Sequence, residues 1–162
     1  MQIGFIGLGA VVETAYLPAL RRLGDVIDRC QGYDLDCSRA LPGIQRCSSL
    51  SALLAEPLDT LFITTSSLQH LPVLERALAS GISRIVVEKP IVANLEQAAR
   101  LRALLAPTEQ AARVLALDHW MARGVALNAP GPLWRAEGEA SAAPVSAGYR
   151  LDRRLFAGAK RL

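Results

Sequence analysis

The sequence predicts an α/β protein built on a doubly wound parallel sheet, and three observations carry that expectation. Short β-branched runs alternate with helix-length segments through residue 120. A glycine pair, "GLG" at 7–9, joins the first run to the first helix. The run "RIVVE" at 84–88 is apolar enough to be covered on both faces. Pro90, which has no N–H for a strand ladder and pushes the residue before it out of helical geometry, then stops that run.

The elements come in order. "QIGFI" (2–6) is a short strand of the buried kind. The helix after it is marked by Leu17, Leu20 and Leu23 and closes at Gly24, with Pro18 either in its first turns or at a kink. A weaker strand ends at "QGYD" (31–34), and "CSRALPGI" (37–44) breaks up the chain. "SSLSALLAE" (48–56) reads as a helix with serines available as caps, and "LDTLFITT" (58–65) reads as a strand. "SLQHLPVLERALASG" (67–81) is a helix ending at a glycine, as helices commonly do. After "RIVVE" comes the amphipathic "NLEQAARLRALLA" (94–106), with Asn94 as its cap, and then a last strand, "RVLALDHW" (113–120). This alternation predicts a sheet of about six strands in the order 3-2-1-4-5-6.

Residues 1–120 form the expected domain, and residues 121–162 differ in kind. The first part holds 11 Lys/Arg and 12 Asp/Glu, the second 7 and 3, so the net charge of +3 belongs wholly to the tail. Alanine, glycine and proline supply 18 of the tail's 42 residues, and it has no isoleucine. That composition suits an irregular basic extension, or the remnant of a truncated second domain, better than a folded substrate domain. No aromatic residues are interleaved with its charges at a useful spacing, so nucleic acid is not an expected partner. No apolar run approaches the roughly 18 residues of a membrane span, and Glu13 interrupts the apolar start, which favours a cytoplasmic protein. Cys30, Cys37 and Cys47 have no CxxC spacing, so they suggest reduced thiols and no metal site.

The first βα junction has the context of a dinucleotide fingerprint. Gly7 would provide the tight turn. Gly9 would let a pyrophosphate approach the backbone, with Leu8, Ala10 and Val11 completing the loop. Val12 occupies the third position, where glycine or alanine is usual. Asp34 ends the second strand, where a carboxylate binds ribose hydroxyls and repels a 2′-phosphate; Arg39 could instead welcome that phosphate. The alternative is that Asp34 and Asp36 cap the following turn. Glu88 and Lys89 stand at the carboxyl end of their strand, the side on which ligands bind in open α/β sheets.

Four stretches together resemble the Gfo/Idh/MocA oxidoreductases: "GFIGLGAVVETAYLPAL", "DTLFITTSSLQHLPVLERALASG", "VVEKPIVANLEQAARL" and the late "DHW". The resemblance covers residues 1 to about 120, the cofactor half of such enzymes, and implies a Rossmann domain with NAD, or alternatively NADP. It implies a dehydrogenase acting on a small molecule, a sugar, polyol or related alcohol. Thr64, Thr65, Ser66 and His70 then fall where the family lines its cofactor groove, with Glu88 at its edge, and Lys89 falls on the catalytic lysine. "DHWMAR" (118–123) is similar to the "DHYxxK" of glucose-6-phosphate dehydrogenases, which brings Asp118 and His119 to the substrate side. Trp120 there replaces a tyrosine, and Arg123 keeps a cation. The family's antiparallel substrate domain has no counterpart in the tail. The competing expectations are a nucleotide-binding module or truncated fragment without turnover, and a basic-tailed interaction protein. A homo-oligomer is compatible with the first reading.

Overall fold

The computed structural model describes residues 1–22 and 24–117. Six strands, β1 (Gln2–Ile6), β2 (Arg29–Tyr33), β3 (Gln45–Arg46), β4 (Thr60–Ile63), β5 (Ile85–Glu88) and β6 (Val114–Leu117), form one sheet in the order β3-β2-β1-β4-β5-β6. This is the predicted order. The registered pairs β1–β2, β1–β4, β2–β3 and β4–β5 are all parallel. The order reverses between β1 and β4, and a ligand cleft opens at such a switch.

Two elements carry no clear mark in the sequence. β3 is only two residues long, too short to carry a period of its own. A helix over Thr108–Arg113 precedes β6. Leu23, the last strand's Asp118, His119 and Trp120, and the whole of 121–162 lie outside the described residues.

Helices α1 (Leu17–Arg21), α2 (Leu50–Leu54), α3 (Ser67–Ala79), α4 (Leu95–Leu104) and α5 (Thr108–Arg113) fill the crossovers. The caps expected of Ser49 and Asn94 are present. Ser49 Oγ accepts the Ala52 N–H at 3.0 Å, and Asn94 Oδ1 accepts the Gln97 N–H at 2.8 Å. Pro18 lies in the first turn of α1, directly after a π-helical turn over Val12–Tyr16. Pro72 sits inside α3 without ending it. Arg113 clasps the end of α3, donating to Leu78 O at 3.1 Å and to Ile82 O at 2.6 Å.

Strand alternation divides the core into two layers. Ile6, Leu61, Ile63, Ile85 and Val87 face α2 and α3, against Leu53, Leu74 and Ala77. Ile3 and Phe5 face the other way, onto Leu8, Val12 and Leu17, with Phe62 packed against them. Val12 is fully buried there, so the larger residue at the third fingerprint position is accommodated as core. No helix among the described residues is long and apolar enough to cross a membrane.

Candidate functional site

The site lies at the carboxyl ends of β2, β1, β4 and β5, and its shape starts with two glycines that do different work. Gly7 follows β1 with φ +92°, and a Cβ there would lie 2.8 Å from the backbone of Thr64 and Thr65. Only glycine suits both the angle and the approach. The Gly7 N–H donates to Tyr33 O at 2.9 Å. The buried Thr64 hydroxyl lies 2.7 Å from Gly7 O and 3.1 Å from Ile6 O, so it fastens the loop from within. Gly9 is the opposite case: a Cβ there would meet no atom within 4 Å. Open space, not crowding, surrounds that position.

Asp34 is anchored to the glycine loop. Its Oδ2 accepts the Leu8 N–H at 2.6 Å and its Oδ1 accepts the Asp36 N–H at 2.9 Å. The turn-capping role expected as the alternative is therefore present together with a groove-lining one. Asp36 in turn accepts Ser38 through both hydroxyl and amide, and those bonds hold its carboxyl below the usual carboxylate range. Arg39 Nε stands 3.8 Å from Asp36 Oδ2.

A groove of about 490 Å³ runs across this edge. Of the residues expected from sequence it gathers Gly7, Gly9, Asp34, Arg39, Thr64, Thr65 and Ser66 on its lining. Leu8, Ala10 and Val11 do not line it. Leu8 gives its amide to Asp34 and buries its side chain in the core, Ala10 is exposed with its carbonyl taken by Thr14 Oγ1, and Val11 packs against the core. The far wall is not among the sequence expectations: Gln69, Pro72, Val73 and Arg76 of α3. Their spacing of three, four and seven residues marks one helix face, a signal legible in "QHLPVLER".

His70 sits beneath the groove rather than on its wall. It is 1% exposed, with Nδ1 at 2.8 Å from Pro90 O and Nε2 at 2.9 Å from Thr65 O. One imidazole thus joins the loop after β4 to the loop after β5. A neutral ring donates to only one of the two carbonyls, and a protonated ring to both.

Glu88 and Lys89 also lie off the groove wall, at the neighbouring strand's end. Glu88 is buried on the Phe5 and Phe62 side of the sheet, where its Oε1 accepts the Tyr16 hydroxyl and its Oε2 accepts the Lys89 N–H at 3.1 Å. Tyr16 is a further residue that sequence reasoning misses. Its ring lies 5.0 Å from that of Phe62 and 6.2 Å from that of Phe5, and burial, then the bond to Glu88, push its phenol well above the usual tyrosine range. Lys89 is exposed, and its ammonium has no ion pair or hydrogen bond among the described residues. The peptide bond between Lys89 and Pro90 is cis. Among the described residues no three His, Cys, Asp or Glu side chains converge as metal ligands.

The geometry suits a nicotinamide dinucleotide. Gly9 leaves open space beside the backbone, an acid stands at the end of β2, and an exposed ammonium stands at the end of β5. Comparison with known proteins agrees. A family model described as "Oxidoreductase family, NAD-binding Rossmann fold" (GFO_IDH_MocA) matches residues 1–116. YceM of Salmonella typhimurium is 30% identical over 104 residues, which are 62% of this chain and 34% of that protein. The solved structure of UDP-N-acetylglucosamine 3-dehydrogenase GnnA from Acidithiobacillus ferrooxidans is 27% identical, with a TM-score of 0.57 over 74% of this chain and 37% of that one. An oxidoreductase from Thermotoga maritima shares the fold at 24% identity, with a TM-score of 0.59 over 66% of this chain and 35% of that one. The chain thus spans about a third of the length of the relatives it matches.

Proposed function

The chain belongs to the Gfo/Idh/MocA oxidoreductase family, an NAD-binding Rossmann family, and on that premise we propose that it holds NAD in this groove and serves hydride transfer from a sugar- or polyol-type alcohol, or to the corresponding carbonyl. The observation that carries the reading is the open cradle at Gly9, set beside the anchored carboxylate of Asp34. Bound there, the nicotinamide supplies the hydride acceptor or donor; the residues of this chain do the rest.

Gly9 leaves room for a pyrophosphate against the backbone. Asp34, fixed by two amides, keeps lone pairs for the ribose hydroxyls, and its charge disfavours a 2′-phosphate, hence NAD over NADP. Pro72, Val73 and Leu50 give an apolar wall suited to the flat face of a base. Lys89 can polarise the reacting oxygen and hand over or receive its proton. The sugar assignment draws support from the dehydrogenase from Acidithiobacillus ferrooxidans, whose substrate is a nucleotide sugar.

Fluorescence titration with NADH and NADPH tests the binding reading, followed by turnover on a panel of sugars and polyols. We expect tighter NADH binding, binding within about twofold of wild type in Lys89→Ala, and a loss of on the order of 10²–10⁴ in rate for that variant. Failure to bind either cofactor would overturn the proposal. Tighter NADPH binding would reverse the cofactor preference, and full turnover in Lys89→Ala would remove Lys89 from the chemistry. Binding without turnover on any substrate would favour a nucleotide-binding module.

A further inference from the structure

We infer that His70 is a positioning residue for Lys89: through Nδ1 it ties the loop after β5 to the helix that walls the cofactor groove. The tie itself is visible in the fold, and its value to the reaction rests on the role proposed for Lys89.

The two sides of the tie are held differently. On the cofactor side, the Thr64 N–H donates to Ile6 O at 2.8 Å and its hydroxyl to Gly7 O at 2.7 Å. The Gln69 N–H closes the next turn on Ser66 O at 2.8 Å. Helix α3 starts there, and its Gln69, Pro72 and Val73 line the groove while His70 turns inward, 1% exposed. On the Lys89 side, no backbone-to-backbone hydrogen bond reaches residues 89–93 among the described residues. Side chains hold that stretch instead. The Lys89 N–H donates to Glu88 Oε2 at 3.1 Å and the Ala93 N–H to Gln97 Oε1 at 2.9 Å, both partners being near in sequence. Ile91 packs against the α2 and α3 layer, a contact that sets depth but no direction. His70 reaches the loop from across the fold, with Nδ1 at 2.8 Å from Pro90 O.

That carbonyl is well chosen. Pro90 has no N–H, so its oxygen is its one hydrogen-bonding group, and it belongs to the residue directly after Lys89. A carbonyl only accepts, so the bond needs a proton on Nδ1. A further proton on Nε2 would add Thr65 O, at 2.9 Å, from the groove lining itself. Without the Pro90 bond the loop can drift against the groove floor, and a displacement of about 1 Å at a reacting group costs on the order of 10²-fold in rate.

Asparagine and glutamine separate the two ring nitrogens. The Asn amide nitrogen stands as many bonds from the backbone as Nδ1, and the Gln amide nitrogen as many as Nε2. His70→Asn therefore keeps a donor for Pro90 O, and His70→Gln does not. Amide hydrogen exchange of the full chain is read by mass spectrometry on peptides covering residues 86–94 and 60–66. In His70→Gln, exchange over 86–94 should be about three- to tenfold faster than in wild type, the scale of one lost hydrogen bond, with 60–66 within about twofold. His70→Asn should bring 86–94 back towards wild type. Unchanged exchange over 86–94 in His70→Gln would overturn the inference. So would equal loosening in both variants, which would mean that the ring acts through packing only.

Should neither variant fold, the wild type decides. His70 and His119 are the chain's two histidines, and a long-range proton–nitrogen NMR spectrum of their rings, assigned with His119→Gln, shows which His70 nitrogen carries hydrogen. A proton on Nδ1 supports the tie, and a ring protonated on Nε2 alone would overturn it. NADH titration and turnover of the same samples separate the two readings. In His70→Gln the Kd for NADH should stay within about threefold while kcat falls by about ten- to a hundredfold, with recovery in His70→Asn. Full turnover in a loosened His70→Gln would overturn the positioning role. A wild type that does not bind NADH counts against the proposed function, and the exchange result still decides the tie.

Discussion

Replacing the two loop glycines one at a time should separate fold from function. Gly7→Ala places a methyl 2.8 Å from the Thr64 carbonyl and the Thr65 amide, at φ +92°. The angle costs an L-residue about 1–2 kcal/mol, and forcing a carbon against backbone adds about 1–3 kcal/mol. The sum, about 2–5 kcal/mol, corresponds to a melting temperature lower by roughly 5–15 °C in a chain of this size. Gly9→Ala meets nothing within 4 Å and has no positive φ to strain it, so its melting temperature should stay within about 2 °C of wild type. Its methyl instead enters the cradle, and the Kd for NADH should rise at least about tenfold, or about 1.4 kcal/mol, with Gly9→Val worse again. Thermal denaturation and fluorescence titration on the same samples read both quantities. Gly9→Ala binding NADH like wild type, or Gly7→Ala melting like wild type, would refute this division of labour.

Other outcomes rest on the same geometry. His70→Leu removes the ring that bridges the part-buried carbonyls Thr65 O and Pro90 O and should destabilise the chain by about 1–3 kcal/mol in chemical denaturation. Arg113→Ala removes the clasp on Leu78 O and Ile82 O and should cost about 1–3 kcal/mol by the same measurement, with NADH affinity unchanged. Tyr16 ionises above its unfolded value near 10, so the stability it contributes is fully present below that pH and is lost as pH rises beyond it. Melting temperatures taken at pH 9 and pH 11 should therefore fall less in Tyr16→Phe than in wild type; an equal fall would contradict the shift.

The features legible in the sequence are those that repeat or that glycine and proline enforce. The strand order comes from alternation, the caps at Ser49 and Asn94 from their side chains, and the groove floor from Gly7, Gly9 and Asp34. The two-residue β3 carries no periodicity and exists only because Gln31 and Gly32 offer it a ladder. Tyr16 is hidden because its partner, Glu88, is 72 residues away and meets it only across the folded sheet. The family resemblance implies His70 as part of the groove wall because it gives position along the chain and not depth; its two ring bonds come from loops that leave different strands. Arg76 is within reach of the same reasoning, since the face it shares with Gln69 and Val73 can be read from spacing alone.

The bond from the Leu8 amide to Asp34 has a bearing on how cofactor preference can evolve in such a chain. The residue proposed to disfavour a 2′-phosphate is also an acceptor for the glycine loop. A change at 34 to a residue without a side-chain acceptor would alter the charge there and loosen the loop in one step. Routes to NADP use are then expected to leave Asp34 in place at first and to recruit cations around it, with Arg39 and Arg46 nearest at hand, so that the loop keeps its acceptor while the local charge is reversed.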